Sequence, residues 1–178
     1  VHVCPANDRT RTLLRTSDLI VDALLGTGLS APVTGPYRTA IDAINDAGLP
    51  VTAVDLPSGL HADTGAVLDV AVRATLTVTF GLPKLGLYVG PGIDHAGEIR
   101  VVDIGIPQRY ADAVESRISL ITMDKVHRLL PQRIPSAHKG TYGHVGIIAG
   151  SVGKTGAAAL AAKAALRVGT GLVTVATP

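Results

Sequence analysis

Apolar positions along this chain fall into short blocks punctuated by glycine and proline, and each block ends where polar residues cluster. Residues 19–25 (LIVDALL) form an apolar run that stops at glycines, as expected of a strand buried in a parallel sheet. After the loop GTGLSAPVTGP, the segment YRTAIDAINDAG places Tyr37, Ala40, Ile41, Ile44 and Ala47 on one helical face, with Gly48 as a C-terminal cap. Residues 51–54 predict a second strand that ends in the sharp turn DLPSG. The β-branched run 74–81 (ATLTVTFG) and the run 98–105 (EIRVVDIG) predict two more. Strands and helices that alternate across short turns indicate an α/β protein with a parallel sheet.

The pattern loosens between residues 107 and 140. Prolines and mixed charge dominate there, and the short apolar spacing of DKVHRLL (124–130) predicts the one helix. Regularity returns with HVGIIAG as a strand, TGAAALAAKAALRVG as a helix and LVTVATP as a strand. This is a βαβ unit of the usual size, with Gly169 and Gly171 at the helix-to-strand turn.

Composition narrows the classes. The 178 residues are 47% hydrophobic and 17% charged, with one phenylalanine, so a core must be built from Val, Leu, Ile and Ala. A net charge of +2, without any basic run, argues against a nucleic-acid partner. No apolar stretch is long enough to span a bilayer, and the N-terminus lacks the pattern of a secretory signal. Cys4 is the single cysteine, so no internal disulfide forms and a cytoplasmic setting is expected. The chain starts at Val1 and stops just after a strand-like run, which suggests a piece of a longer protein.

In parallel sheets ligands bind beyond the carboxyl ends of the strands, and polar residues collect at those ends here. Asp22 lies in the first apolar run ahead of Gly26-Thr27-Gly28, Asp55 ends VTAVD ahead of Leu56-Pro57-Ser58-Gly59, and Lys84 follows the strand TLTVTF. A glycine loop lets backbone N–H groups approach an anion, and carboxylate plus hydroxyl oxygens suit a hard cation. A second carboxylate can bind a ribose or take a proton. The plainer alternative is that both aspartates cap the following turn and Ser58 closes a serine turn. His138 and His144 have no zinc-site spacing.

The stretch GSVGKTG (150–156) has a strand before it and a helix after it, like a phosphate-binding loop. A Walker A loop requires glycine at position 148, where Ile148 stands, and Gly150 lies too close to Gly153. The stretch remains an anion-binding helix start, with Lys154 as a phosphate contact or a solvated lysine. A P-loop-like, ATP-binding phosphotransferase and a non-catalytic nucleotide-binding module are the alternatives to the reading below.

DALLGTGLS, AVDLPSGLHADTG and TFGLPKLG resemble the C-terminal half of the NAD(P)H-hydrate epimerase domain. HKGTYGHVGIIAGSVGKTGAAALAAKAALRVGTGLVTVA resembles the start of the ADP-dependent NAD(P)H-hydrate dehydratase domain, a relative of ribokinase-like sugar kinases. The resemblance implies a Rossmann-like parallel sheet over residues 1–106, a linker over 107–140, and the first βαβ unit of a ribokinase-like domain over 141–178. The implied activities are an isomerase that interconverts the R and S hydrates NADHX and NADPHX, and a lyase that uses ADP to dehydrate the S form. Carried over by motif, Asp22 and Ser58 are implied to bind a potassium ion. Gly26, Thr27, Gly28, Leu29, Ser30, Ala31 and Pro32 are implied to contact the dinucleotide. Asp55 is implied to contact the substrate, Lys84 to join it as a second catalytic candidate, and Ala157 to contact the hydrated nucleotide in the dehydratase part. The asparagine- and glycine-rich loop of the epimerase family, and the ADP-binding and catalytic-Asp segments of the dehydratase family, are not in this sequence. Association into a homo-oligomer is a further expectation.

Overall fold

The computed structural model describes residues 12–14, 16–114, 116 and 118–178. Cys4 lies outside the described residues. The chain divides into two compact units, Val1–Ser116 and Arg117–Pro178.

The first unit is built on four parallel strands in the order β1-β2-β3-β4: β1 (Ile20–Asp22), β2 (Val51–Val54), β3 (Leu76–Phe80) and β4 (Glu98–Val102). Asp22 pairs with Ala53, Val54 with Val78, and Phe80 with Val102. All four carboxyl ends therefore open on the same edge, as the α/β reading requires. Helix α1 (Gly35–Asp46) links β1 to β2. Pro36 falls in its first turn, where the missing N–H costs nothing, and Gly48 at φ 66° takes the left-handed position past its end. A short helix α2 (Gly92–Ala96) precedes β4.

Two apolar clusters hold this unit together. Ile20, Val33, Ile41, Ile44, Val51 and Val72 pack as one, and Leu56, Leu60, Ala62, Ala71, Leu87 and Ala96 pack as the other. Ile41 is fully buried, and a side chain of that size contributes about 1.5–3 kcal/mol on leaving water. The second cluster lies under the DLPSG turn, so the core directly supports the residues that follow β2.

Several expectations change in detail, and the runs 74–81 and 98–105 are strands only over Leu76–Phe80 and Glu98–Val102. The run 19–25 is a strand only over Ile20–Asp22, because the chain turns away at Ala23 to give its next amides to side chains. Tyr37, placed on the buried face of α1 by periodicity, is 52% exposed; Ile41, Ala43 and Ile44 carry the burial.

Helix α3 (Gln108–Asp112) lies in the first unit and is a helix that the sequence did not predict within 107–140; in the second unit, α4 (Met123–Leu129) matches the short helix expected at 124–130. Thr122 caps α4 by accepting the Lys125 N–H. Strand β5 (His144–Ile148), helix α5 (Gly156–Val168) and strand β6 (Leu172–Ala176) form the expected βαβ unit, with β5 and β6 parallel and His144 opposite Leu172. Arg133 ties the preceding segment to this unit: its guanidinium stacks on the Tyr142 ring and donates to the Gly169 carbonyl at 2.6 Å. Among the described residues, no helix is long and apolar enough to cross a membrane.

Candidate functional site

The site grows from the first turn after β1. Asp22, the last residue of that strand, is 1% exposed, and its carboxylate is met by donors from two segments. The Ser58 backbone N–H donates to Oδ2 at 2.8 Å, the Ser58 hydroxyl to Oδ1 at 2.6 Å, and the Leu24 N–H to Oδ1 at 3.3 Å. Ser58 Oγ in turn accepts the Leu25 N–H at 2.9 Å, and the Leu25 carbonyl lies 3.3 Å from it. The turn after β1 and the turn after β2 are therefore stitched together through one carboxylate and one hydroxyl.

Charge is less complete than hydrogen bonding there. Among the described residues, no cationic side chain pairs with Asp22. A buried carboxylate compensated only by dipoles favours a cation nearby. The neighbouring acceptors are a carboxylate, a hydroxyl and the Leu25 carbonyl, all oxygen, which is the donor chemistry of a hard cation such as potassium. The residues fit that ion.

The second constellation surrounds Asp55, which adopts φ 69° immediately after β2. A non-glycine residue in the left-handed region stores strain of about 1–3 kcal/mol, least for Asp and Asn, and must be held there by its surroundings. The hold is visible. The Asp55 N–H donates to the Val78 carbonyl at 2.8 Å. Its Oδ1 accepts from the Thr79 hydroxyl at 3.0 Å, the Phe80 N–H at 3.0 Å and Lys84 Nζ at 2.5 Å. Lys84 Nζ also donates to the Phe80 carbonyl at 2.7 Å, so the lysine is fixed by the end of β3. Burial works to raise the Asp55 pKa, but the hydrogen bonds from Lys84, the Phe80 amide and Thr79, with the Lys84 charge, outweigh it and hold the carboxyl below its ordinary value. Oδ2 has no hydrogen-bond partner among the described residues.

The glycine that ends the DLPSG turn is favoured by geometry. Gly59 has φ 98°, and a Cβ there would run into the Val70 carbonyl and the Ala71 Cα. That close approach lets Ser58 face Asp22 while the following strand-like segment packs beneath.

The loop expected to meet a dinucleotide is open. Gly26, Thr27, Gly28, Ser30, Ala31 and Pro32 are exposed, while Leu29 is half-buried against the first apolar cluster and its N–H closes a turn on the Gly26 carbonyl. The loop thus combines an anchored middle with free backbone at the carboxyl edge. Asp22 and Ser58 are brought together, and so are Asp55 and Lys84, as sequence reasoning grouped them. Thr79 was missed, because threonine in a β-branched strand reads as ordinary strand propensity. Its signal was position: it is the last inward-facing residue of β3.

In the second unit, Gly150 at φ 93° and Gly153 at φ 76° shape the GSVGKTG turn, and the Lys154 N–H closes on the Ser151 carbonyl at 2.8 Å. Lys154 and Ala157 are exposed at the start of α5, whose N-cap residue Thr155 makes no side-chain capping bond. Among the described residues, no side chain caps the first amides of α5.

Residues 2–86 match the family described as YjeF-related protein N-terminus. The chain is 50% identical over 165 residues to the bifunctional NAD(P)H-hydrate repair enzyme Nnr of Coxiella burnetii, covering 93% of this chain and 34% of that protein. Against the enzyme of the same name from Moorella thermoacetica the identity is 48%, over 96% of this chain and 32% of the relative. For that of Escherichia coli it is 40%, over 90% and 31%. The chain spans about a third of the length of the curated relatives it matches. A solved yeast structure, ynu0, aligns with a TM-score of 0.49 at 18% identity, over 66% of this chain and 50% of its own.

Proposed function

We propose, on the premise that this chain is homologous to a segment of the bifunctional NAD(P)H-hydrate repair enzymes, that its first unit carries the centre that interconverts the R and S hydrates of NADH and NADPH. The observation that supports this reading most strongly is Asp55, an ionised and strained carboxylate held at the carboxyl edge of the sheet with one oxygen left open. Interconversion at a hydrated ring carbon needs a proton taken from the hydroxyl. The ring C–N bond then breaks as the carbonyl forms, and the ring nitrogen gains a proton; reclosure on the other face reverses these steps. Asp55 is the proton acceptor in this scheme, and Lys84, at 2.5 Å, is the charge that steadies it. The open loop Gly26–Pro32 supplies backbone to the dinucleotide.

In this reading Asp22 and Ser58, with the Leu25 carbonyl, would hold a potassium ion. A potassium ion there would neutralise the buried carboxylate and would add positive potential at the edge proposed for the anionic dinucleotide.

The second unit is the beginning of an ADP-dependent dehydratase domain of ribokinase-like fold. Ala157 and the amides that open α5 face the hydrated nucleotide, and ADP is the co-substrate of that domain. The substrates proposed with it are small molecules, and the setting is the cytoplasm.

The experiment is to incubate purified R and S hydrates with a full-length protein carrying this sequence and to follow the epimer ratio by chromatography without ADP. The ratio should relax to one equilibrium value from either side, faster in K+ than in a bulky organic cation. Epimers that persist unchanged in K+ would refute the reading.

A further inference from the structure

Strand β3 turns two threonines inward, Thr77 and Thr79, both fully buried. In a strand core a valine of equal size fills the same space without a hydroxyl to satisfy, so each hydroxyl has a use. Thr77 donates to the Ala96 carbonyl at 2.7 Å and closes the end of α2. Thr79 donates instead to Asp55 Oδ1 at 3.0 Å, beside the Phe80 N–H and Lys84 Nζ. Three donors converge on one oxygen of the carboxylate, and none reaches the other.

We infer that Thr79 is a positioning residue that divides the labour of the Asp55 carboxylate, Oδ1 serving as its anchor and Oδ2 as the atom presented to substrate. The division rests on the reading of Asp55 as the proton acceptor. The hydroxyl fixes rotation about the side chain, because losing one of three bonds on Oδ1 frees the group to turn, and free rotation would bring either oxygen to the substrate at random. The same bond favours the ionised form, so its loss must raise the acid limb of activity as well as lower the rate. A threonine that served packing alone would move neither quantity. Lys84 cannot replace it: the ammonium approaches from the loop after β3, whereas the Thr79 hydroxyl comes from within the sheet.

The test compares Thr79→Val, which keeps shape and removes the hydroxyl, with Thr79→Ser, which keeps the hydroxyl. In the full-length protein, Thr79→Val should lower kcat for R/S interconversion about 10-fold, the scale of one hydrogen bond to a charged group, with KM nearly unchanged. The acid limb of kcat/KM should move upward in pH, and Thr79→Ser should restore both. The Asp55 carboxyl resonance, titrated by carbon NMR without substrate, should shift upward in Thr79→Val and return in Thr79→Ser. If Thr79→Val fails to fold, Thr79→Ala carries the same comparison. A titration and an acid limb that stay in place in the hydroxyl-free variant would overturn the inference. Should the titration move while the unsubstituted protein interconverts no epimers, the function proposed for Asp55 fails and the anchoring of its Oδ1 stands.

Discussion

The turns at the carboxyl edge of the first unit and the turn that opens α5 in the second follow the same strand–glycine–polar grammar, yet their physical states are opposite. After β1 and β2, Asp22, Ser58 and Asp55 are buried or half-buried and bound by short hydrogen bonds to segments distant in sequence. After β5, Ser151, Lys154 and Ala157 are exposed and Ala158 alone is buried in α5. In the first case the fold has already committed its side chains to one arrangement. In the second, only backbone geometry is committed, through Gly150, Gly153 and the amides of a helix start. Polar residues at strand ends therefore carry different information according to whether the core reaches them.

Two glycines make that contrast measurable. Gly59 and Gly153 both have positive φ, but a Cβ at Gly59 meets backbone atoms whereas nothing lies within 4 Å of one at Gly153. Gly59→Ala should destabilise the first unit by about 3–5 kcal/mol, adding a backbone clash to conformational strain, and should loosen Ser58 from Asp22. Gly153→Ala should cost about 1 kcal/mol, the strain alone. Denaturant unfolding of the two variants checks this, and equal losses would erase the distinction between the regions.

Acid offers a smaller lever on the same contrast. The Asp55 pKa is depressed in the folded protein, so its contribution to stability is full above the ordinary carboxylate value of 3.8 and is lost as pH falls through the lower folded value. Replacing Asp55 with Asn should flatten stability over that acid window and leave it unchanged in slope near neutrality. Thermal unfolding between about pH 2 and pH 5 measures it. The smallest effect is expected from Lys154→Ala, an exposed loop substitution that should change stability by no more than about 0.5 kcal/mol by the same unfolding measurement.

Much of the fold was legible because its signals are local. Residues 51–54 read as a strand with no residue misplaced, and the βαβ unit at the end of the chain follows from the switch between apolar runs and alanine-rich helix spacing. The boundaries that failed did so through tertiary competition. Ala23, Leu24 and Leu25 are as apolar as the strand before them, but the amides of Leu24 and Leu25 bond Asp22 and Ser58 instead of a neighbouring strand. Tyr37 fits the helical period, yet it sits in the first turn of α1, beyond the reach of the sheet that covers Ile41 and Ile44. The site was legible as to residue type: carboxylates at strand ends stand out in any parallel sheet. The resemblance grouped Asp22 with Ser58, but nothing pointed to the contact of Asp55 with Thr79 across 24 positions, a distance at which spacing says nothing.

Under the proposed function, Asp55 serves interconversion alone, while dehydration belongs to chemistry that begins in the second unit. Asp55→Asn keeps the shape of the side chain, tolerates its left-handed backbone and removes the charge. In the full-length protein it should lower the rate of R/S interconversion by at least ~100-fold, the lower scale of a general-base contribution, and leave ADP-dependent dehydration of the S hydrate within about twofold. Interconversion that survives the substitution, or a loss shared equally by both activities, would contradict the account.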